Sequence, residues 1–304
     1  MHPKLSTVLA SAICAFAAPA HADPDWKVVA QALGKEGTVQ AGGIYRVGLP
    51  RADLKVRLDG VEIKPALALG TWLAFQPMGD KDAMIMGDLV LTHEEVNPVM
   101  KVLAENGIEV TALHNHLLRS EPATMYMHVG GHGDAVKLAT ALREALGQSR
   151  TPLGGGTASS SQPPAATGSA DQKLDLDTAT IDQALGRKGK VNGGVYQVSI
   201  PRAETITDGG MEVPEAMGSA IAINFQPTGG GKAAITGDFV LTADEVNPVI
   251  RALRANGIEV TALHNHMLKD EPRLFFMHFW ANEDVNKLAK GLKAALDHIK
   301  VAKG

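Results

Sequence analysis

Gly107-Ile108-Glu109-Val110-Thr111-Ala112-Leu113-His114-Asn115-His116 recurs letter for letter at Gly257-Ile258-Glu259-Val260-Thr261-Ala262-Leu263-His264-Asn265-His266. Outward from this run, residues 86–116 align without gaps to 236–266, with 22 of 31 positions identical. Further pairs are Gly42-Gly43 with Gly193-Gly194, Tyr45 with Tyr196, Pro50-Arg51 with Pro201-Arg202, and Phe75-Gln76-Pro77 with Phe225-Gln226-Pro227. The copies run about 25–148 and 173–301, long enough for each to bury its own core. The chain therefore reads as two tandem homologous domains that pair within the molecule.

Within a copy, Asp25 to Leu33 reads as a helix stopped by Gly34. Gly43 to Leu49, Thr71 to Gln76 and Ala83 to Leu91 read as strands. Thr92 and Glu95 form a T-x-x-E capping box, repeated by Thr242 and Glu245. Pro98 is expected to break a helix already under way, so Asn97 is read as a second N-cap with Pro98 at N1. Ile108 to Leu117 and Ala123 to Val129 read as strands, and Asp134 to Leu146 as an amphipathic helix. The fold class is α+β. Each domain is a largely antiparallel sheet with helices, its second half β-α-β-β-α in a split β-α-β arrangement.

Residues 1–22 have the pattern of a secretory signal: Lys4, an apolar run from Leu5 to Ala18, and Ala20-His21-Ala22 before Asp23. Domain 1 is then 23–148, a Gly/Ser/Pro-rich linker 149–172, and domain 2 173–304. The apolar run is short for a membrane span, and no span is expected in the mature chain. The expected location is periplasmic or secreted. Cys14, the one cysteine, lies in the signal segment, so thiolate is excluded as a ligand in the mature protein. Net charge is −4 with no basic stripe, which argues against nucleic acid. The adjacency of His114, Asn115 and His116 is no mark of HNH nucleases, whose three residues lie far apart.

Histidine is scarce, eleven in all, yet six fall in two matched sets. Alternate strand residues share a face, so His114 and His116 project together. With a hairpin turn at Arg119–Pro122, His114 is expected opposite His128 and His116 opposite Tyr126, with Glu121 at the turn. Copy 2 repeats the set as His264, His266, His278 and Glu271, with Phe276 opposite His266. Three neutral imidazoles, with or without a carboxylate, suit a divalent transition metal such as zinc, copper, nickel, manganese or iron. The H-x-H-x4-E spacing is similar to the first metal motif of cupins, as chemistry and not as fold. The alternative is structural: Ile108, Val110 and Ala112 lie on the same expected face, and histidines hydrogen-bonded to Glu121 would lock the hairpin. Asp88 and Asp238, each after a glycine, read equally as turn residues or as carboxylate partners of an imidazole. Gln76 and Gln226 share that ambiguity. His132 occurs in copy 1 only, and the methionines Met78, Met84, Met86, Met125 and Met127 read as core.

The run 107–116, its copy at 257–266, the following Glu-Pro and the downstream histidine resemble the LppY/LpqO family of exported bacterial proteins. The resemblance spans both repeats and implies export and duplication. It supplies no substrate and no catalytic residue. Three functions are compatible with the residues. One is metal binding by the His-x-His, Glu and His set of each repeat. Another is a metal-dependent hydrolase or isomerase on a periplasmic small molecule or cell-wall fragment, with Glu121 or Glu271 as general base. The last is a non-catalytic module binding a ligand or partner in a cleft between the domains.

Overall fold

The structure, a computed structural model, describes residues 23–153 and 174–303. The expected signal segment and most of the expected linker lie outside the described residues. Each repeat carries one six-stranded sheet. In repeat 1 the order across the sheet is Thr38–Val39, Tyr45–Pro50, Gly70–Gly79, Asp82–Thr92, Thr124–Asp134, Glu109–His114. In repeat 2 it is Lys190–Asn192, Val195–Ile200, Ile221–Gly229, Lys232–Leu241, Phe275–Asp284, Glu259–His264. Strands Asp82–Thr92 and Glu109–His114 both pair antiparallel with Thr124–Asp134. They are thus parallel to one another with that strand between them, the split β-α-β arrangement the sequence predicts.

Strand alternation assigns the two faces of each sheet. Leu73, Phe75, Ile85, Leu89, Leu91, Met127 and Val129 pack against Val99 and Leu103 of helix His93–Glu105 and Leu142 and Leu146 of helix Ala135–Leu146. The opposite face meets the other repeat. Ala74 and Met84 enter the core of repeat 2, and Val90 and Tyr126 share a cluster with Val195, Ala234 and Trp280. The layers therefore run helices, sheet, sheet, helices, with the repeats joined through their sheets. Each large apolar side chain removed from water there contributes about 1.5–3 kcal/mol.

A segment of repeat 1 reaches across this junction. Gln226 accepts from the Lys64 N–H at 2.9 Å and donates to the Glu62 carbonyl at 2.8 Å. The Trp280 indole donates to Asp59 at 3.0 Å, and Gln197 to the Ala66 carbonyl at 2.8 Å. In return, Arg46 donates to the Ala216 carbonyl at 2.5 Å while its guanidinium lies 4.0 Å above the Trp72 ring.

The helix after Thr92 differs from expectation. It runs unbroken over His93–Glu105 with Pro98 inside, and the capping box of Thr92 and Glu95 is its sole start. The bond that Pro98 withholds would have gone to the carbonyl of Glu94, an exposed residue, so water can satisfy it. Residues 149–153, expected to open the linker, fold back onto repeat 1. The Arg150 N–H donates to Glu95 at 2.8 Å, and Leu153 packs on the core.

Glu95 is a junction of three roles. It caps the helix through the Thr92 N–H at 2.9 Å, holds Arg150, and pairs with fully buried Arg51 at 2.7 Å. Burial alone would raise its pKa, but the Arg51 guanidinium and the two backbone N–H groups hold it below the ordinary range. Arg202 and Glu245 repeat the pair at 2.6 Å, with Lys300 in place of Arg150. Removing one partner strands a buried charge. Arg51→Met is therefore expected to destabilise the protein by about 3–5 kcal/mol in urea unfolding. A loss below about 1 kcal/mol, the range of exposed ion pairs, would contradict this assignment.

Candidate metal centre

Ile108, just before strand Glu109–His114, and Val110 within it turn to the helices. Between Val110 and Ala112 its pairing with Thr124–Asp134 slips by one residue: Val110 faces Val129, and Ala112 faces His128. This β-bulge at Thr111 reverses the alternation, so Ala112 and His114 project from the face that meets repeat 2. The expectation that the histidines share a face with Ile108 and Val110 is thereby corrected. The expected register is corrected as well: His114 pairs with Tyr126, not His128, and His116 lies past the end of the strand. Repeat 2 has the same bulge between Val260 and Ala262.

The bulge threonines and the central asparagines stitch the two strand ends together. Thr111 donates to the His266 carbonyl at 2.5 Å, and Thr261 to the His116 carbonyl at 2.5 Å. Asn265 donates to the Thr111 carbonyl at 2.9 Å, and Asn115 to the Thr261 carbonyl at 3.3 Å. The two histidine patches expected from the sequence, one per domain, are consequently a single cluster. His114 stacks on His264 with ring centroids 3.4 Å apart, His116 lies 3.6 Å from His278, and His128 lies 3.8 Å from His266. Tyr126 backs His116 at 3.3 Å, and Phe276 backs His266 at 3.5 Å.

Hydrogen bonding orients four of these rings. In repeat 2, Nδ1 of His264 faces the Asn265 carbonyl at 3.0 Å, and Nδ1 of His278 faces the Gly237 carbonyl at 2.7 Å. A carbonyl oxygen only accepts, so both Nδ1 atoms carry the proton. Nε2 of each neutral ring is then a bare lone pair, yet the two Nε2 atoms stand 2.8 Å apart. Repeat 1 matches: Nδ1 of His114 faces Asn115 at 3.0 Å, His128 bonds the Gly87 carbonyl, and the Nε2 atoms are 2.8 Å apart. Lone pairs at that distance repel unless a cation is shared between them.

Two aspartates complete the cluster. Asp88 is opposite His128 and Asp238 opposite His278 in strand register, so each lies on its histidine's face. Asp88 lies 3.7 Å from Nε2 of His116, and Asp238 3.1 Å from Nε2 of His266, without hydrogen-bond alignment. Nε2 of His116 and His266 and one oxygen of each aspartate are buried with no hydrogen-bond partner among the described residues. Buried polar atoms without partners are rare and costly. Among the described residues, four groups have ligand atoms close enough to hold a metal ion. They are His114, His128 and His264; His114, His116 and His278; Asp88, His116 and His128; and Asp238, His264 and His266.

Burial pulls His114 and His264 down to about 4, and the other four imidazoles well below the ordinary histidine value. Burial pushes Asp88 well above the usual carboxylate range, with Asp238 adding to the rise and Arg46 opposing it. Burial likewise raises Asp238, against the pull of His278 and His264. At neutral pH the rings therefore stand deprotonated, the form a metal requires.

Glu121 and Glu271 enter none of the four groups. Both are exposed. Glu121 pairs through its backbone with Arg57, and Glu271 with Thr207. His132 is exposed and outside the groups. Asp88 and Asp238, expected as turn residues or as carboxylate partners of an imidazole, lie mid-strand beside the histidines. A Cβ on Gly237 would stand 1.9 Å from the Ala222 carbonyl oxygen, so close strand packing, not a turn, accounts for that glycine.

The sequence profile of a family described as Domain of Unknown Function (DUF1259) matches residues 27–148 and again 179–298. No curated protein sequence matches the chain. Among solved structures, the trimeric bacterial microcompartment shell protein PduB is similar at 9% identity and a TM-score of 0.23, covering 88% of this chain and 95% of that one. EtuB from Clostridium kluyveri is similar at 9% identity and a TM-score of 0.19, covering 86% and 88%. Likeness at these scores carries no structural or functional argument.

Proposed function

From its place as a two-repeat member of the Domain of Unknown Function (DUF1259) family, we propose that this chain binds a divalent transition metal at the cluster its repeats build together. The observation that carries the reading is the pair of Nε2 atoms 2.8 Å apart, each on a ring whose Nδ1 is committed to a backbone carbonyl. Metal–nitrogen bonds of about 2.0–2.1 Å set neighbouring nitrogens roughly 2.9 Å apart at a right angle and roughly 3.3 Å apart at the tetrahedral angle, so the observed spacing brings the two atoms within reach of one ion and leaves a tetrahedral ion a few tenths of an ångström to open them. Imidazole and carboxylate donors suit zinc, copper, nickel, manganese or iron. The signal-like residues 1–22 and the resemblance to the LppY/LpqO proteins support export to the periplasm or beyond. Hydrolase or isomerase chemistry draws no support from Glu121 or Glu271, which stand on exposed ribbons. Small-molecule or cell-wall partners likewise rest on the proposed location alone.

The test is metal analysis of the untagged protein after dialysis against each ion, with thermal unfolding in parallel. An ion at a hundred times its Kd is expected to stabilise the chain by about 2.7 kcal/mol, reversibly with chelator. A protein that retains none of the five ions and gains no stability from them would end the reading.

The stitching residues offer a gentler probe. Thr111→Val with Thr261→Val removes two bonds that hold the backbone at His266 and His116. Loss of such supporting contacts is expected to weaken metal binding about 10–100-fold, with Thr→Ser at both positions restoring it. Unchanged affinity in competition with a chromogenic chelator would contradict that role.

A further inference from the structure

We propose that the centre takes two divalent ions side by side, one on Asp88, His116 and His128 and the other on Asp238, His264 and His266. This rests on the metal-binding reading above and deepens it. The two carboxylate-containing groups share no residue, so both can be filled at once. The two groups without a carboxylate both depend on His114 and therefore compete with each other.

The remaining histidines complete the sets. Nε2 of His114 is 2.8 Å from that of His128, and Nε2 of His278 is 2.8 Å from that of His264. Each ion thus has an aspartate and two imidazoles as a set of three donors, with a third imidazole nitrogen 2.8 Å from one of them. Eight donors exceed what one ion takes. The atoms without partners divide the same way, with one histidine nitrogen and one aspartate oxygen in each set.

Ring contacts of 3.4–3.8 Å press the two sets together. Paired ions in two-metal sites lie about 3.5–4 Å apart. One carboxylate per ion offsets part of their mutual repulsion, and the pairing explains why two buried or half-buried acids stand beside six buried or half-buried imidazoles. The likeness of the sets follows from the duplication, but their contact does not. It is made by the bulges at Thr111 and Thr261 and the bonds across the junction.

The experiment is titration of the full, untagged chain with copper(II), followed by metal analysis and electron paramagnetic resonance. Saturation is expected at two ions per chain, with the signal per ion falling sharply between half and full loading as neighbouring spins couple. Asp238→Ala is expected to leave one ion with full signal intensity, and Asp88→Ala likewise. Saturation at one ion per chain would overturn the paired centre while leaving metal binding intact. Two ions with undiminished signal would overturn their adjacency. A wild-type chain that binds no copper, and none of the other four ions, would remove both readings. If either variant fails to fold, the wild-type stoichiometry and spin intensity alone decide.

Discussion

Replacing His114 and His264 together by alanine is expected to abolish metal-dependent stabilisation while leaving the metal-free protein nearly as stable as before. Either substitution breaks one 2.8 Å contact between Nε2 atoms. In the metal-free chain that contact opposes two lone pairs, so its loss relieves a repulsion. That relief offsets part of the packing lost from the stacked rings. With metal present the same change removes His264 from one set and the imidazole adjoining His128 from the other, and affinity is expected to fall at least 100-fold, roughly 2.7 kcal/mol. Paired denaturation of the variant and wild type, with and without zinc, separates the two effects. If the histidines instead locked the fold through hydrogen bonds, the metal-free variant would lose several kcal/mol, since buried groups deprived of partners cost about 1–3 kcal/mol each. A large metal-free loss with zinc binding unchanged is therefore the contradicting result.

The second large effect is on acid stability. Burial brings His114 and His264 to about 4 and holds the other four imidazoles well below the ordinary value. Between pH 4 and about 6.5 the unfolded chain binds more protons on these rings than the folded chain, so stability rises with pH across that window. It is fully present above about 6.5 and is lost as pH falls towards 4. Asp88 and Asp238 act in the opposite sense. Their raised values mean the folded chain holds protons that the unfolded chain releases above about 3.8, so their contribution falls as pH rises. Six imidazoles against two carboxyls leave the histidine direction dominant. The shift at His114 and His264 alone is worth several kcal/mol, on the scale of a whole domain's stability. Metal-free protein is expected to unfold in mild acid, between about pH 4 and 6. A urea midpoint that stays flat from pH 7 to 4 would contradict the burial of neutral imidazoles.

Much of this architecture is legible in the sequence. The duplication, the capping boxes and the β-α-β-β-α order are local or self-similar signals, and they survive in the fold. The nearly unbroken apolar run from Ala83 to Leu91 shows that both faces of that strand are buried. It marks the face that meets the other repeat. The site itself is less legible because the bulge that aims it leaves little trace: Val110, Thr111 and Ala112 suit a regular strand, and a one-residue slip reverses every side chain beyond it. The Glu-Pro turn drew attention to Glu121, which shares a loop with the histidines but is drawn away by its backbone pairing with Arg57. Asp88, forty residues upstream of His128, joins it only through sheet register. The contact between repeats is encoded in Thr111 and Asn115, whose partners lie some 150 residues away.

X-ray absorption at the metal edge of the zinc-loaded, untagged chain tests the joint centre most directly. The expected spectrum has a nitrogen and oxygen shell at about 2.0–2.1 Å with the outer-shell scattering of several imidazoles per ion, reduced in His114→Ala/His264→Ala. A first shell of oxygen alone, without imidazole scattering, would contradict the assignment of these six histidines to a metal.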